Sequence, residues 1–178
     1  MAGPHRLDPL LRRLSIIVVL GAFAAASARL FIWPPPDQPQ HADAIIILGG
    51  GGHRRPVGYD LARSGLSKTL AVSTSDTDKP LRGAPEFVGV DVIKFRPEPF
   101  TTQGEARFLA EEAHKRGWKK VIVVSGREQM TRARLRIRRC YDGELIMVAA
   151  PRQLRWVPYD VLYEWAAMAK AVVLERGC

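Results

Sequence analysis

The sequence predicts an α/β fold: a three-layer, Rossmann-like parallel sheet of about five strands with helices on both faces, preceded by one N-terminal transmembrane helix. Three observations predict it. Short apolar runs alternate with segments of helical period, which is typical of βαβ units. One of these runs, 42–48, ends in four glycines, as buried strands do where a ligand approaches the backbone. A separate apolar run near the start is long enough to cross a bilayer.

The N-terminal segment is expected to anchor the chain in the plasma membrane. Residues 1–13 carry Arg6, Arg12 and Arg13 and form the expected cytoplasmic N-terminus, and 14–33 form the expected span, with Arg29 as its only charge. Positive charge before the span predicts a C-terminal domain outside the cytoplasm. The alternative is a cleaved signal peptide with its site at 26–28, but the apolar run continues past that site and favours retention. Phe31 and Trp33 suit an interfacial aromatic belt.

The remaining chain is expected to hold a proline-rich polar linker over 34–41 and one α/β domain over 42–178. The segment 74–89 contains Asp, Pro and Gly residues that suit a loop better than a crossover helix. The expected strands are 42–48, 69–73, 90–95, 120–125 and 144–149, and the expected helices are 57–64, 103–115, 129–140 and 159–174.

The charge of this chain is local. Its formal net charge is +9, and much of that lies in the arginine-rich segment 127–139. Such a cluster suits an anionic partner, either a phosphorylated small molecule or a lipid-linked phosphate. Nucleic acid is disfavoured because few aromatics interleave with the arginines and no DNA-binding motif appears. Cys140 and Cys178 could form one bridge, although Cys178 is expected to be mobile and neither looks catalytic. The four histidines have no metal-ligand spacing, and no metal site is expected.

The four glycines Gly49, Gly50, Gly51 and Gly52 are the main candidate ligand-binding residues. They fit neither a P-loop nor the dinucleotide-binding spacing, so they locate a site without naming a cofactor. Arg54 beside them favours an anionic ligand, and His53 is the one histidine worth testing. The alternative is a tight strand-to-helix turn without a ligand.

Other polar side chains are expected at the same sheet edge. Thr101 and Thr102 at a helix start suit anion binding, and Glu105 is the candidate acid or base. Glu105 has an equally good alternative as part of a capping box with Thr102. Ser125, Gln129, Arg127 and Arg132 follow a later strand, where Arg127 and Arg132 suit anion contact and the more distal arginines suit a solvated helix face. Asp76, after the second strand, is a distant candidate for a ribose contact.

These motifs together resemble a bacterial family of unsettled biochemistry typified by YdcF, SanA and ElyC. The resemblance covers about 42–149 and rests on four stretches in order: Leu48-Gly49-Gly50-Gly51 with Arg54, Leu61-Ala62-Arg63-Ser64-Gly65, Thr102-Gln103-Gly104-Glu105-Ala106, and Ser125-Gly126-Arg127-Glu128-Gln129-Met130-Thr131-Arg132-Ala133. Gln129 stands where many members have His, which puts acid–base work at that position in doubt. The segment 74–89 is also shorter than the usual crossover of the family.

The resemblance implies a Rossmann-like domain, often anchored in the inner membrane and linked to cell-envelope and peptidoglycan maintenance. We therefore expect a membrane-anchored extracytoplasmic protein that binds an anionic envelope metabolite. Two alternatives stay open: a non-catalytic interaction module with envelope protein partners, and an enzyme that binds a nucleotide or S-adenosylmethionine. The cofactor is unknown, and the sequence does not decide whether there is turnover.

Overall fold

The computed structural model describes residues 9–151 and 157–178. Its helices and strands alternate as the hydrophobic pattern predicts. In chain order they are α1 (Pro9–Ser27) with a π-helical extension (Ala28–Ile32), β1 (Ala44–Ile47), α2 (Arg54–Arg63), β2 (Thr69–Ser73), β3 (Asp91–Phe95), α3 (Thr102–Arg116), β4 (Lys120–Gly126), a 3-10 turn (Arg127–Gln129), α4 (Met130–Arg138), β5 (Glu144–Ala150) and α5 (Val157–Val173).

The five strands form one parallel sheet in the order β3-β2-β1-β4-β5. Each connection leaves the carboxyl edge of the sheet, and the strand order reverses between β1 and β4. Ile46 at the centre pairs in register with Ala71 of β2 and Val123 of β4. A crevice opens at such a reversal point because the connections on its two sides run in opposite directions. The order therefore fixes where a ligand can enter the domain.

Apolar side chains alternate between the two faces of the sheet and build two cores. α3 and α4 cover one face, where Leu109 and Ile137 pack against Ile46. α2 covers the other face together with Leu81 and Phe87 from the β2–β3 connection. That connection contains no helix among its described residues, as the composition of 74–89 predicts. The α/β fold class and the three layers are confirmed.

The N-terminal helix is long and apolar enough to cross a membrane, and its first seventeen described residues are exposed. Its last turn does not continue as a free span but packs into the domain. Phe31 is 1% exposed, and Thr131 on α4 donates a hydrogen bond to the Leu30 carbonyl at 2.6 Å. The interpretation of Phe31 as part of an aromatic belt is therefore wrong, because the domain buries this ring.

The segment predicted as a linker is held against the edge strand β5. The Asp37 amide donates to the Met147 carbonyl, and the Met147 amide donates back to the Asp37 carboxylate. Arg134 on α4 also donates to that carboxylate at 2.9 Å. These contacts cover part of an edge that would otherwise expose unpaired backbone groups. They also fix the domain close to the end of the N-terminal helix.

The last helix, α5, packs beside the sheet rather than on it, against α4 and the π-helical extension. The chain after α5 is also attached, because Cys178 forms a disulfide with Cys140 at the end of α4. Arg107 on α3 donates two hydrogen bonds to the Cys178 carbonyl. The expectation that Cys178 is mobile is therefore wrong, and the possible bridge between the two cysteines is present.

Candidate functional site

Two adjoining clefts, of about 330 and 290 Å³, open at the carboxyl edge of the sheet. Both touch Gly50, Gln129 and Tyr163, so they form one continuous depression between the glycine loop, the start of α3 and the helices α4 and α5. Most of the predicted site residues meet here. The larger cleft adds Gly51 and Arg54, and the smaller one adds Gly49, Thr101, Thr102, Glu105 and Arg132.

The glycine loop needs glycine at two of its four positions. Gly50 and Gly51 have φ values of +105° and +113°, a region that L side chains rarely adopt. A Cβ at Gly51 would lie 2.6 Å from the His53 ring. Neither residue could therefore carry a side chain without strain, and the backbone of the loop lies bare at the cleft.

Glu105 lies inside the cleft rather than capping its own helix. The N-cap residue of α3 is Thr101, in an extended conformation, so α3 begins one residue earlier than the sequence pattern predicts. The Glu105 carboxylate accepts a hydrogen bond from the Gly49 amide across the cleft. The capping-box interpretation is therefore wrong, because with Thr101 as the N-cap the third helical residue is Gly104, and Glu105 lies on the same face of α3 as the buried Leu109.

Burial raises the pKa of Glu105, because its side chain is almost completely withdrawn from water. The Gly49 amide, the nearby Ser73 hydroxyl and the charges of Arg54 and Arg132 act in the opposite direction without cancelling that effect. The Ser73 hydroxyl has no hydrogen-bond partner of good geometry among the described residues, although it lies close enough to Glu105 to act on its pKa. A carboxyl group in these surroundings can hold a proton at a pH where an exposed one loses it.

The start of α3 depends on a close backbone contact at Gly104. A Cβ there would come within 2.0 Å of the Pro99 carbonyl oxygen. Gly104 therefore lets the turn before α3 lie flat on the first turn of the helix. This contact holds Thr101, Thr102 and Glu105 at the cleft.

The two predicted anion-binding arginines already have partners in the protein. Arg54 is 2% exposed, donates to the Gly49 carbonyl and lies 3.7 Å from the Glu128 carboxylate. Arg132 donates to both carboxylate oxygens of Glu164, at 2.9 and 3.0 Å, and to the Thr102 hydroxyl. Both guanidinium groups therefore shape the cleft, and much of their hydrogen-bonding capacity is used.

Arg136 was missed as a site residue, because the distal arginines suit a solvated helix surface. It is instead 6% exposed, lines the smaller cleft and is paired with Glu175. Its Nε and Nη1 atoms make no hydrogen bond within the described structure. The spacing of Arg132 and Arg136, four residues apart, shows that they share one face of α4 but not that this face is buried.

Some predicted residues lie away from the two clefts. Ser125 is fully buried at the end of β4, and Gly52 lines only a small recess behind the loop. Arg127 lines neither cleft. Asp76 also lies outside them, paired with Lys79 at 3.0 Å, so the ribose contact has no geometric support. His53, by contrast, does line the larger cleft.

Charges of both signs surround the depression. Its basic residues are Arg54, Arg132, Arg136 and Lys170, and its acidic residues are Glu105, Glu128, Asp160, Glu164 and Glu175. Burial favours a proton on Glu105, and Glu164 and Glu175 are paired with Arg132 and Arg136. The sum of the formal charges therefore does not describe the electrostatic potential near Arg136. No group of three His, Cys, Asp or Glu side chains that could hold a metal occurs in the described part of the chain.

The arrangement offers three chemical capacities. Unencumbered backbone at Gly50 and Gly51 can approach a ligand closely, the free atoms of Arg136 can donate to an oxyanion, and Glu105 can hold or release a proton.

Compared with known proteins, the chain matches no family model and no curated protein.

Proposed function

We propose that the chain is a membrane-anchored, extracytoplasmic protein of the YdcF type whose cleft binds a phosphorylated metabolite of the cell envelope. Its N-terminal helix would hold the domain at the outer surface of the plasma membrane. In this role it would act in envelope or peptidoglycan maintenance. The proposal rests on two grounds: the resemblance of the sequence motifs to that family and the geometry of the cleft.

The observation that carries the proposal is the unused hydrogen-bonding capacity of the Arg136 guanidinium group. Its guanidinium group is buried at the cleft, yet two of its nitrogen atoms have no hydrogen-bond partner among the described residues. A buried charged donor without a hydrogen bond is costly, so such groups call for a partner supplied from outside the chain. A phosphate group supplies oxygens that match a guanidinium group and would also contact the bare glycine backbone.

The disulfide supports the outside location. Bridges of this kind form and persist in oxidising compartments, and Cys140 and Cys178 are paired. The packing of Ser27 and Phe31 against the domain supports a retained anchor, because cleavage at 26–28 would remove or cut this packed turn.

A binding measurement with matched arginine variants tests the proposal. Full-length protein in zwitterionic nanodiscs is titrated with inorganic pyrophosphate by calorimetry. We expect saturable binding that weakens at least tenfold in Arg136→Gln, because one charged hydrogen-bond donor pair is lost. Arg138→Gln is the control, since Arg138 lies two residues further along the same helix and is exposed.

Binding that is absent, or equally strong in Arg136→Gln and the wild type, would contradict an anion site at the cleft. Equal weakening by Arg138→Gln would indicate general attraction to a basic surface and would also count against it.

A further inference from the structure

The outward face of α5 is apolar, whereas its acidic residues point inward. The exposed stripe consists of Tyr159, Leu162, Tyr163, Ala166, Ala169 and Val173. Leu162 is 65% exposed, whereas Asp160 and Glu164 are buried at 8% and 2%. A helix on the surface of a soluble domain normally has the opposite arrangement. α5 thus exposes its apolar side chains and buries its acidic ones, which is the inverse of an ordinary surface helix.

The inversion follows from how α5 is attached. α4 presents a row of arginines to it, of which Arg132 pairs with Glu164 and Arg136 pairs with Glu175 just after the helix. Arg139 donates to the carbonyls of Ala171 and Glu175, both at 2.7 Å. Since polar contacts hold the inner side, the apolar side chains remain outside. Lys170, four residues after Ala166 on the same face, is the one charged residue that α5 exposes, and it pairs with Glu175 at 3.1 Å.

The membrane-spanning candidate lies directly against this helix. Trp165 of α5 stacks on Phe23 with a centroid distance of 5.4 Å, and its indole nitrogen donates to the Ser27 hydroxyl at 2.9 Å. Phe23 lies nine residues before the end of the apolar helix at Ile32, which is about 14 Å along its axis. The contact places the middle of α5 beside the last turns of the apolar helix.

We propose that α5 lies on the bilayer, with its apolar stripe inserted into the interfacial layer beside α1. The lipid surface is the occupant that the contacts favour, because the stripe is continuous with an apolar helix long enough to span the membrane. A helix with one apolar face and little charge on that face binds in the plane of the interface. Tyr159 and Tyr163 suit the headgroup level, where aromatic rings with one polar end are enriched.

Docking also orients the cleft. Tyr159 and Tyr163 belong both to the apolar stripe and to the lining of the larger cleft. The mouth of the cleft then lies at the membrane surface, so a ligand held on a lipid could enter from the bilayer. This consequence rests on the proposed function, whereas the docking itself rests on the anchor alone.

Spin labels on the full-length protein in phosphatidylcholine vesicles test the docking. Single cysteines are introduced at Leu162 and Val173 of the stripe, at Val19 of the span and at the exposed Glu111 of α3. The native disulfide stays oxidised, so each variant has one free thiol for the label. Power saturation then compares access of oxygen, which concentrates in lipid, with access of a water-soluble nickel complex.

We expect labels at Leu162 and Val173 to favour oxygen over the nickel complex by several fold, as at Val19, and the label at Glu111 to show the reverse. Aqueous labels at Leu162 and Val173 with a lipid-embedded label at Val19 would overturn the docking while leaving the anchor intact. Exclusion of both reagents at the stripe would show a protein partner instead and would also overturn it. An aqueous label at Val19 would refute the anchor on which both proposals depend.

Discussion

Glu105 is a carboxyl group whose surroundings favour the protonated form. It is 4% exposed at the start of α3, and burial raises its pKa above the ordinary value. The native chain therefore keeps this proton at a pH where the unfolded chain has released it. In that interval the native state binds more protons, so the free energy of unfolding falls as the pH rises.

The replacement Glu105→Gln should remove this pH dependence, because the amide does not ionise. Wild-type protein is expected to lose about 1.4 kcal/mol of unfolding free energy for each unit by which its native pKa exceeds the unfolded one. The loss begins near the ordinary value of 4.5 and ends above the raised native pKa. Urea unfolding in detergent micelles from pH 4 to pH 8 measures it.

The control for this series is Glu111→Gln on the exposed side of the same helix. Its free energy of unfolding should fall with rising pH as steeply as that of the wild type. If the free energy of unfolding fell equally with pH in the wild type and in Glu105→Gln, Glu105 would not hold its proton in the native state. Its candidacy as an acid would then fail.

At the scale of elements, α4 joins α5 through arginines rather than through apolar contact. Arg132 and Glu164 form its most buried pair, with side-chain exposures of 11% and 2%. The pKa of Arg132 is lowered by burial but raised more by Glu164, so it lies above its ordinary value. The Glu164 carboxylate thus keeps Arg132 charged away from water.

Glu164→Ala should destabilise the protein by about 3–5 kcal/mol, because it leaves the Arg132 charge buried without its carboxylate. The double variant Arg132→Met with Glu164→Leu should recover most of that loss, since two apolar side chains need no partner. Urea unfolding of both variants measures the difference. A single variant as stable as the wild type would show that the pair does not hold α5.

A variant of the exposed ion pair on α3 provides the comparison. Glu111→Ala breaks a contact of 2.7 Å to Lys115 at the surface, where water and salt screen both charges. It should leave unfolding nearly unchanged. A loss as large as that of Glu164→Ala would mean that burial does not distinguish the two pairs.

The elements of the sheet could be predicted from sequence because each strand is a short apolar run with a sharp end. β2 has its expected bounds, and the other strands differ by only a few residues at their ends. The start of α3 was less certain, since Thr101 and Thr102 are both good caps. With Thr101 as the cap, Gly104 rather than Glu105 occupies the third helical position, so Glu105 cannot complete a capping box.

The arginines show a second limit of sequence reasoning. The spacing of Arg132, Arg136 and Arg139 identifies a shared face of α4, but it does not say what covers that face. The cover is α5, whose contacts with Arg132 and Arg139 each span 32 residues of the chain and whose acidic side chains are turned inward. A tertiary contact of this kind leaves no local pattern in α4, so Arg136 resembles a solvated residue until α5 is in place.

For the whole molecule, the strand order brings segments that are distant in sequence to one place. Gly49 and Glu105 are 56 residues apart and share a hydrogen bond across the crevice beside β1. The glycine run predicted the location because it ends a buried strand at the carboxyl edge of the sheet, where ligands bind in this kind of fold. The identity of the ligand depends on side chains from α3, α4 and α5 together, which no single motif contains.

The most direct test of the proposed phosphate binding at the cleft is a pyrophosphate titration followed through the glycine amides. Full-length protein labelled with ¹⁵N-glycine in nanodiscs gives signals from Gly49, Gly50 and Gly51 at the cleft and from Gly65 and Gly117 elsewhere. We predict saturable shifts at the three cleft glycines with little change at the other two. Shifts spread evenly over all five, or no saturable shift at the cleft, would contradict the account.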